Sequence, residues 1–161
     1  LSLVGSEMCI RDSIMETFLA KMRRLQGVRK VLLLEEAWKA IAKEGMASYV
    51  KYLYKTVRKY FGEAIVVTQE VEDIISSPIV KESIINNADC KILLDQRKYR
   101  NKFDQIQTLL GLTDKERAQV LSINLSNDPA RRYKEVFISL GGEQSAVYAT
   151  EVSDEEYLVR P

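Results

Sequence analysis

Val31-Leu32-Leu33-Leu34-Glu35-Glu36-Ala37-Trp38 sets four aliphatic side chains in a row, directly before two adjacent carboxylates. An unbroken apolar run of this length is the pattern of a strand buried on both faces, as in a parallel sheet. Open parallel sheets bind ligands just beyond the carboxyl ends of their strands, which is where Glu35 and Glu36 fall. Two acids in that place suit a magnesium-bound nucleotide. One holds the ion, usually through its waters, and the other orients an attacking water. On spacing alone a second account stands beside this one: acids at a helix start interact favourably with the helix dipole.

Functionally, this is the Walker B arrangement of P-loop ATPases, with glutamate where the first acid is usually aspartate. The phosphate-cradling G-x-x-x-x-G-K-[ST] element occurs nowhere in the 161 residues. The expectation is therefore the later part of such a domain, with the Walker A region outside this sequence. The first thirteen residues, LSLVGSEMCIRDS, resemble translated sequencing-adapter sequence at the end of a reading frame. They show no sustained period and are too short and interrupted for a signal peptide or membrane span. Residues 1–13 are thus expected to be an artefactual leader, with Met15 not a start, and residues 14–161 to form one domain or a large piece of one.

Composition narrows the chemistry. With 46% apolar and 29% charged residues and a net charge of +1, the chain has the make-up of a globular domain. Histidine is absent, which removes His-based triads, His metal sites and imidazole acid–base catalysis. Cys90 is the one cysteine outside the leader, so no disulfide framework is expected and a reducing compartment is implied. Opening an apolar stretch, Cys90 reads as a small buried hydrophobe.

Helices and strands alternate along the chain. Phe18, Leu19, Met22 and Leu25 have helical spacing, ended by Gly27, and a short helix is expected over Ala37–Lys43. Met46, Tyr49, Val50, Leu53, Val57 and Tyr60 form the clearest stripe, with Gly62 closing that helix. Ala64–Val67 is a second buried strand ending at Thr68-Gln69, and Lys91–Leu94 a third ending at Asp95-Gln96. Between them lie an acidic helix start at Glu70, a break at Ser76-Ser77-Pro78, and a short helix over Ile79–Ile85. A helix over Lys98–Leu110 stops at Gly111, and Thr113 with Glu116 makes a capping box for the next. Leu121–Ala130 reads as mostly irregular. Tyr133–Leu140 and Gln144–Glu151 flank Gly141-Gly142-Glu143 as a hairpin, and the acidic tail from Ser153 is helical. The pattern predicts an α/β fold, mainly parallel sheet flanked by helices, with an antiparallel edge.

EEAWKAIAKEGM, KTVRKYFGEA, VVTQEVEDIISSP, ADCKILLDQ and GGEQSAVYATEVS together resemble the TraG family of conjugation ATPases, in the forms of Bacteroidetes conjugative elements. The resemblance covers essentially Ile14 to Arg160. It implies a partial RecA-like P-loop NTPase core with a C-terminal β-hairpin, using ATP and Mg2+ and coupled to type IV secretion. It also implies a homo-oligomer, a hexamer, working with other conjugation-apparatus subunits, cytoplasmic and peripheral to the bacterial inner membrane. Glu36 then takes the water-polarising role and Glu35 the magnesium role, while Gln69 contacts the attacking water or γ-phosphate. A DNA-pumping motor of the same RecA-like type and a non-catalytic assembly module are the alternatives.

Other residues have plainer explanations beside functional ones. Asp95-Gln96 reads chiefly as a strand cap, and Trp38 as core or a subunit contact. Arg97, Arg131 and Arg132 are candidates for an arginine finger, a choice that sequence leaves open. Lys51, Lys55, Arg58 and Lys59, with Tyr52 and Tyr54, form a basic stripe that is a solvated helix face, a contact for nucleic acid or a positively charged intersubunit surface.

Overall fold

The computed structural model describes residues 13, 16–35, 44–68, 84–125, 133–151 and 153–159. The chain divides into two compact units, Leu1–Asn87 and Ala88–Pro161. In the first, residues 16–24 form helix α1, and Gly27 at φ 73° turns the chain toward strand β1, Lys30–Glu35. Helix α2, Glu44–Thr56, runs into a 3-10 turn, Val57–Tyr60, and strand β2, Gly62–Val67. β1 and β2 pair in parallel, from Lys30 opposite Gly62 to Glu35 opposite Val67. Parallel neighbours need a crossover connection, and α2 lies in it.

The core of this unit joins Leu19 and Met22 of α1 to Leu53 and Val57, with Leu32, Leu34 and Ala64 packed against them. Complete burial of such a side chain contributes roughly 1.5–3 kcal/mol. The strands are not buried on both faces, as their unbroken apolar run suggested. Val31, Leu33, Ile65 and Val67 are 54, 56, 44 and 39% exposed. Side chains alternate across a strand, and among the described residues α1 and α2 meet only the face carrying Leu32, Leu34 and Ala64.

The helix before β2 also ends differently from expectation. Phe61, not Gly62, takes the left-handed conformation, φ 53°, at the end of the 3-10 turn. That conformation costs roughly 1–2 kcal/mol for a residue with a Cβ. Gly62 is instead buried inside β2, where a Cβ would lie 2.6 Å from Val57 Cγ2 and 3.1 Å from the Val57 carbonyl oxygen. Close packing demands this glycine; the turn does not.

The second unit opens with β3, Cys90–Leu93, then a 3-10 turn, Arg97–Lys102, and helices α3, Phe103–Leu110, and α4, Asp114–Ser122. Strands β4, Tyr133–Leu140, and β5, Gln144–Glu151, form the expected hairpin, and α5, Asp154–Val159, follows. The sheet order is β3-β4-β5, and both pairings are antiparallel. β3 thus joins the hairpin, where the sequence suggested a third parallel strand. Its alternation explains the choice: Lys91 and Leu93 stand opposite Ser139 and Phe137, both buried. Cys90 lies on the other phase, opposite exposed Leu140, and is itself exposed rather than buried.

Gly111 ends α3 at φ 66°, and Thr113 and Glu116 form the expected capping box. Leu121 and Ser122 belong to α4, so the irregular stretch begins later than expected. After α4, the backbone N–H of Asn124, at φ 55°, donates to Glu135 Oε2 at 2.7 Å, and the backbone N–H of Glu135 donates to Asn124 Oδ1 at 3.0 Å. The class is mixed α/β, with a parallel strand pair, flanking helices and a C-terminal hairpin. The helix expected over residues 37–43, the acidic start at Glu70, the Ser76–Pro78 break and residues 126–132 lie outside the described residues. Of the helix expected over 79–85, the described part is a turn at Ile84 leading into a 3-10 turn, Ile85–Asn87.

Candidate functional site

Two strand ends meet at the carboxyl edge of the parallel pair. Glu35 is the last residue of β1, exposed on the face shared with Val31 and Leu33, and stands opposite Val67. Thr68 follows Val67 directly. The register therefore brings Glu35 and the start of Thr68-Gln69 to one edge, where parallel sheets present ligands. Glu36, Trp38 and Gln69 lie outside the described residues. An exposed carboxylate is a hard oxygen donor of the kind magnesium takes, and that ion keeps several waters rather than an all-protein cage. Glu35 fits such a role. Among the described residues no three His, Cys, Asp or Glu side chains converge on a metal position.

In the second unit, Asp95-Gln96 follows β3 as a strand cap. Arg97 donates from its backbone at 3.0 Å and from Nε at 2.9 and 2.8 Å to the Asp95 carboxylate, with Nη2 at 2.5 Å. The Arg97 guanidinium holds the Asp95 carboxyl below its usual range, and Asp95 raises Arg97 in turn. This arginine is engaged locally; Arg131 and Arg132 lie outside the described residues. Gln96 Oε1 is buried with no hydrogen-bond partner.

The basic stripe keeps its cations and loses one aromatic. Lys51, Lys55, Arg58 and Lys59 are exposed, and Tyr52 is 38% exposed. Tyr54 turns inward, where burial pushes its phenol up to about 12. Arg23 of α1 joins the stripe, donating to the Tyr52 hydroxyl at 2.9 Å with its guanidinium 5.9 Å from the ring centre. Sequence reasoning missed it because α1 was legible only through its apolar spacing; the pair of arginines after Met22 was the available signal.

A parallel strand–helix–strand unit with a carboxylate at its carboxyl edge is the local architecture of an α/β nucleotide-binding domain. The TraG P-loop domain family matches residues 9–160, and the chain belongs to that family. It is 32% identical over 92 residues to the type IV secretion system protein CagE of Helicobacter pylori, covering 57% of this chain and 9% of that protein. The structure of VirB4 of Thermoanaerobacter pseudethanolicus is similar with a TM-score of 0.59 and 25% identity, over 84% of this chain and 34% of that one. The chain thus spans 34% of the one relative and 9% of the other. No helix among the described residues is long and apolar enough to cross a membrane.

Proposed function

We propose that this chain carries the Walker B side of an ATPase that powers type IV secretion in conjugation. The observation that carries this is the placement of Glu35 at the carboxyl edge of a parallel pair, in a chain of the TraG P-loop family. Glu35 holds the waters of a nucleotide-bound magnesium. Glu36, the next residue, accepts a proton from and orients the water that attacks the γ-phosphate. Gln69, one residue beyond Thr68, contacts that water or the phosphate and reports hydrolysis. Magnesium, when bound, would supply neutralisation of the phosphate charge, and Glu35 is the residue here that would hold it. The phosphate-cradling loop is supplied by a part of the protein outside this sequence. The working form is a homo-oligomer, a hexamer, in which a neighbouring subunit donates the arginine finger. It assembles with other conjugation subunits on the cytoplasmic side of the inner membrane.

The test is Glu36→Gln in the whole protein, which keeps shape and removes charge. Hydrolysis should fall on the order of a hundredfold or more, while ATP binding persists. Glu35→Gln should instead raise the magnesium concentration needed for half-maximal turnover. Parental turnover in Glu36→Gln would overturn the assignment and leave Glu36 a helix-start acid.

A further inference from the structure

The second sheet leaves one long edge open. Its order, β3-β4-β5, makes β5 an edge strand of 8 residues, paired on its inner side with β4 in unbroken register from Gln144 to Glu151. Exposed edges recruit further strands, and proteins ordinarily blunt them by short length, lysine, proline or a bulge. The opposite edge is blunted in this way, since β3 has 4 residues and carries Lys91. β5 is not. Gln144-Ser145-Ala146-Val147-Tyr148-Ala149-Thr150-Glu151 holds no cation, proline or glycine, and its single charge lies at the end. Tyr148 is 51% exposed, and Ala149, Thr150 and Glu151 are exposed after it, on both phases of the strand. Among the described residues no strand pairs with this edge. At its start, Gln119 of α4 donates from Nε2 to the Ser145 carbonyl oxygen at 3.5 Å. The open stretch is therefore residues 146–151.

This strand is complementary to itself. A two-fold axis perpendicular to the sheet brings two copies of β5 together antiparallel. Opposed residues then share a face, so the axis passes through a residue. The two longest registers centre on Val147 or on Tyr148. Centring on Val147 sets Glu143, just before the strand, opposite Glu151, and like charges so placed are destabilising. Centring on Tyr148 sets Glu151 opposite Ser145, Thr150 opposite Ala146, and Tyr148 opposite its own copy as an aromatic pair. That centre also lies within the open stretch, clear of Gln119. We infer that β5 pairs with β5 of a second copy about an axis at Tyr148, joining two 3-stranded sheets edge to edge. The contact is isologous and closes on two copies, so it is additional to the head-to-tail contact of a ring. It requires no nucleotide and stands or falls separately from the ATPase assignment.

The test is sedimentation of the whole 161-residue chain in reducing buffer. It should show a monomer–dimer equilibrium across the micromolar range, since the edge of one strand makes a small interface. Tyr148→Lys sets two ammonium groups against each other at the axis and should raise the dissociation constant about tenfold or more. Its melting temperature should hold in dilute solution, because Tyr148 is exposed in the single chain. Crosslinking then fixes the register. In a chain carrying Cys9→Ser and Cys90→Ser, Tyr148→Cys places its Cβ about 4.5–5.5 Å from its copy and should give a disulfide-linked dimer on mild oxidation. Thr150→Cys stands about 14 Å from its copy, the rise of four strand residues, and should not. A monomer at every concentration, a dimer unaffected by Tyr148→Lys, or equal crosslinking at the two positions would each overturn the inference.

Discussion

Removing the Glu116 carboxylate should destabilise the second unit by about 1–3 kcal/mol. Glu116 is 4% exposed and accepts from the Thr113 N–H at 2.8 Å, the Thr113 hydroxyl at 3.0 Å and the Ser139 hydroxyl at 2.8 Å. Glu116→Ala removes the acceptor of all three donors, and of these the Ser139 hydroxyl is the one buried away from water. Ser139 is itself 3% exposed, and a buried donor without an acceptor costs about 1–3 kcal/mol. Only the return half of the capping box is lost, because the Thr113 hydroxyl still accepts from the backbone N–H of residue 116. Burial alone would raise the Glu116 carboxyl, but the Thr113 and Ser139 donors and the nearby Lys91 leave it below its ordinary value. Its contribution is therefore complete above the ordinary glutamate value of about 4.3 and is lost as pH falls through the lower folded value. Urea unfolding followed by circular dichroism, at neutral pH and at pH near 3, measures both effects. Glu116→Ala with Ser139→Ala should cost about 1 kcal/mol less than the sum of the single changes. A loss below about 1 kcal/mol, or strict additivity, would show that water replaces the carboxylate freely and refute the reasoning.

Gly62→Ala should cost about 1–3 kcal/mol by thermal unfolding, since the stiff Val57 side chain and its carbonyl leave little space for the methyl group; an unchanged melting temperature would mean the turn relaxes freely. The Tyr54 phenol should titrate in ultraviolet difference spectra near pH 12. The stability from keeping it neutral is present below the ordinary tyrosine value of about 10 and lost as pH rises toward 12. Deleting residues 1–13 should leave the melting temperature unchanged within error, and a fall of several degrees would show that they pack. Purified as given, the chain should show no magnesium-dependent ATP turnover above background, because the phosphate-cradling loop is not in it; robust turnover abolished by a substitution at Glu36 would contradict that.

Local signals were readable residue by residue. Thr113 with Glu116 announced a capping box, Gly141-Gly142 a hairpin turn, and Gly111 a helix end, because each depends on atoms within a few residues. The family was legible in the same way, through whole segments around Glu35 and Thr68. Pairing was not. Aliphatic runs mark strands without naming their neighbours, so β3 was expected parallel and proved antiparallel with β4. The runs also concealed which face of β1 and β2 packs, since Leu32 and Leu33 are alike in sequence and differ only in where the helices lie.

By composition and order alone, the chain excluded histidine chemistry and a disulfide framework, and put paired acids after an apolar strand. Those conclusions need only the side chains present and their local periods. The tertiary structure decided that Glu35 ends a strand paired in register with the strand before Thr68. It also decided that Arg23 meets Tyr52 across 29 positions, and that Arg97 is held by Asp95. Gly62 shows the difference most plainly. Its place after a helix suggested a turn residue, but the turn fell on Phe61, because Val57 packs against Gly62 too closely to admit a Cβ. Such a clash arises between atoms that only packing brings together.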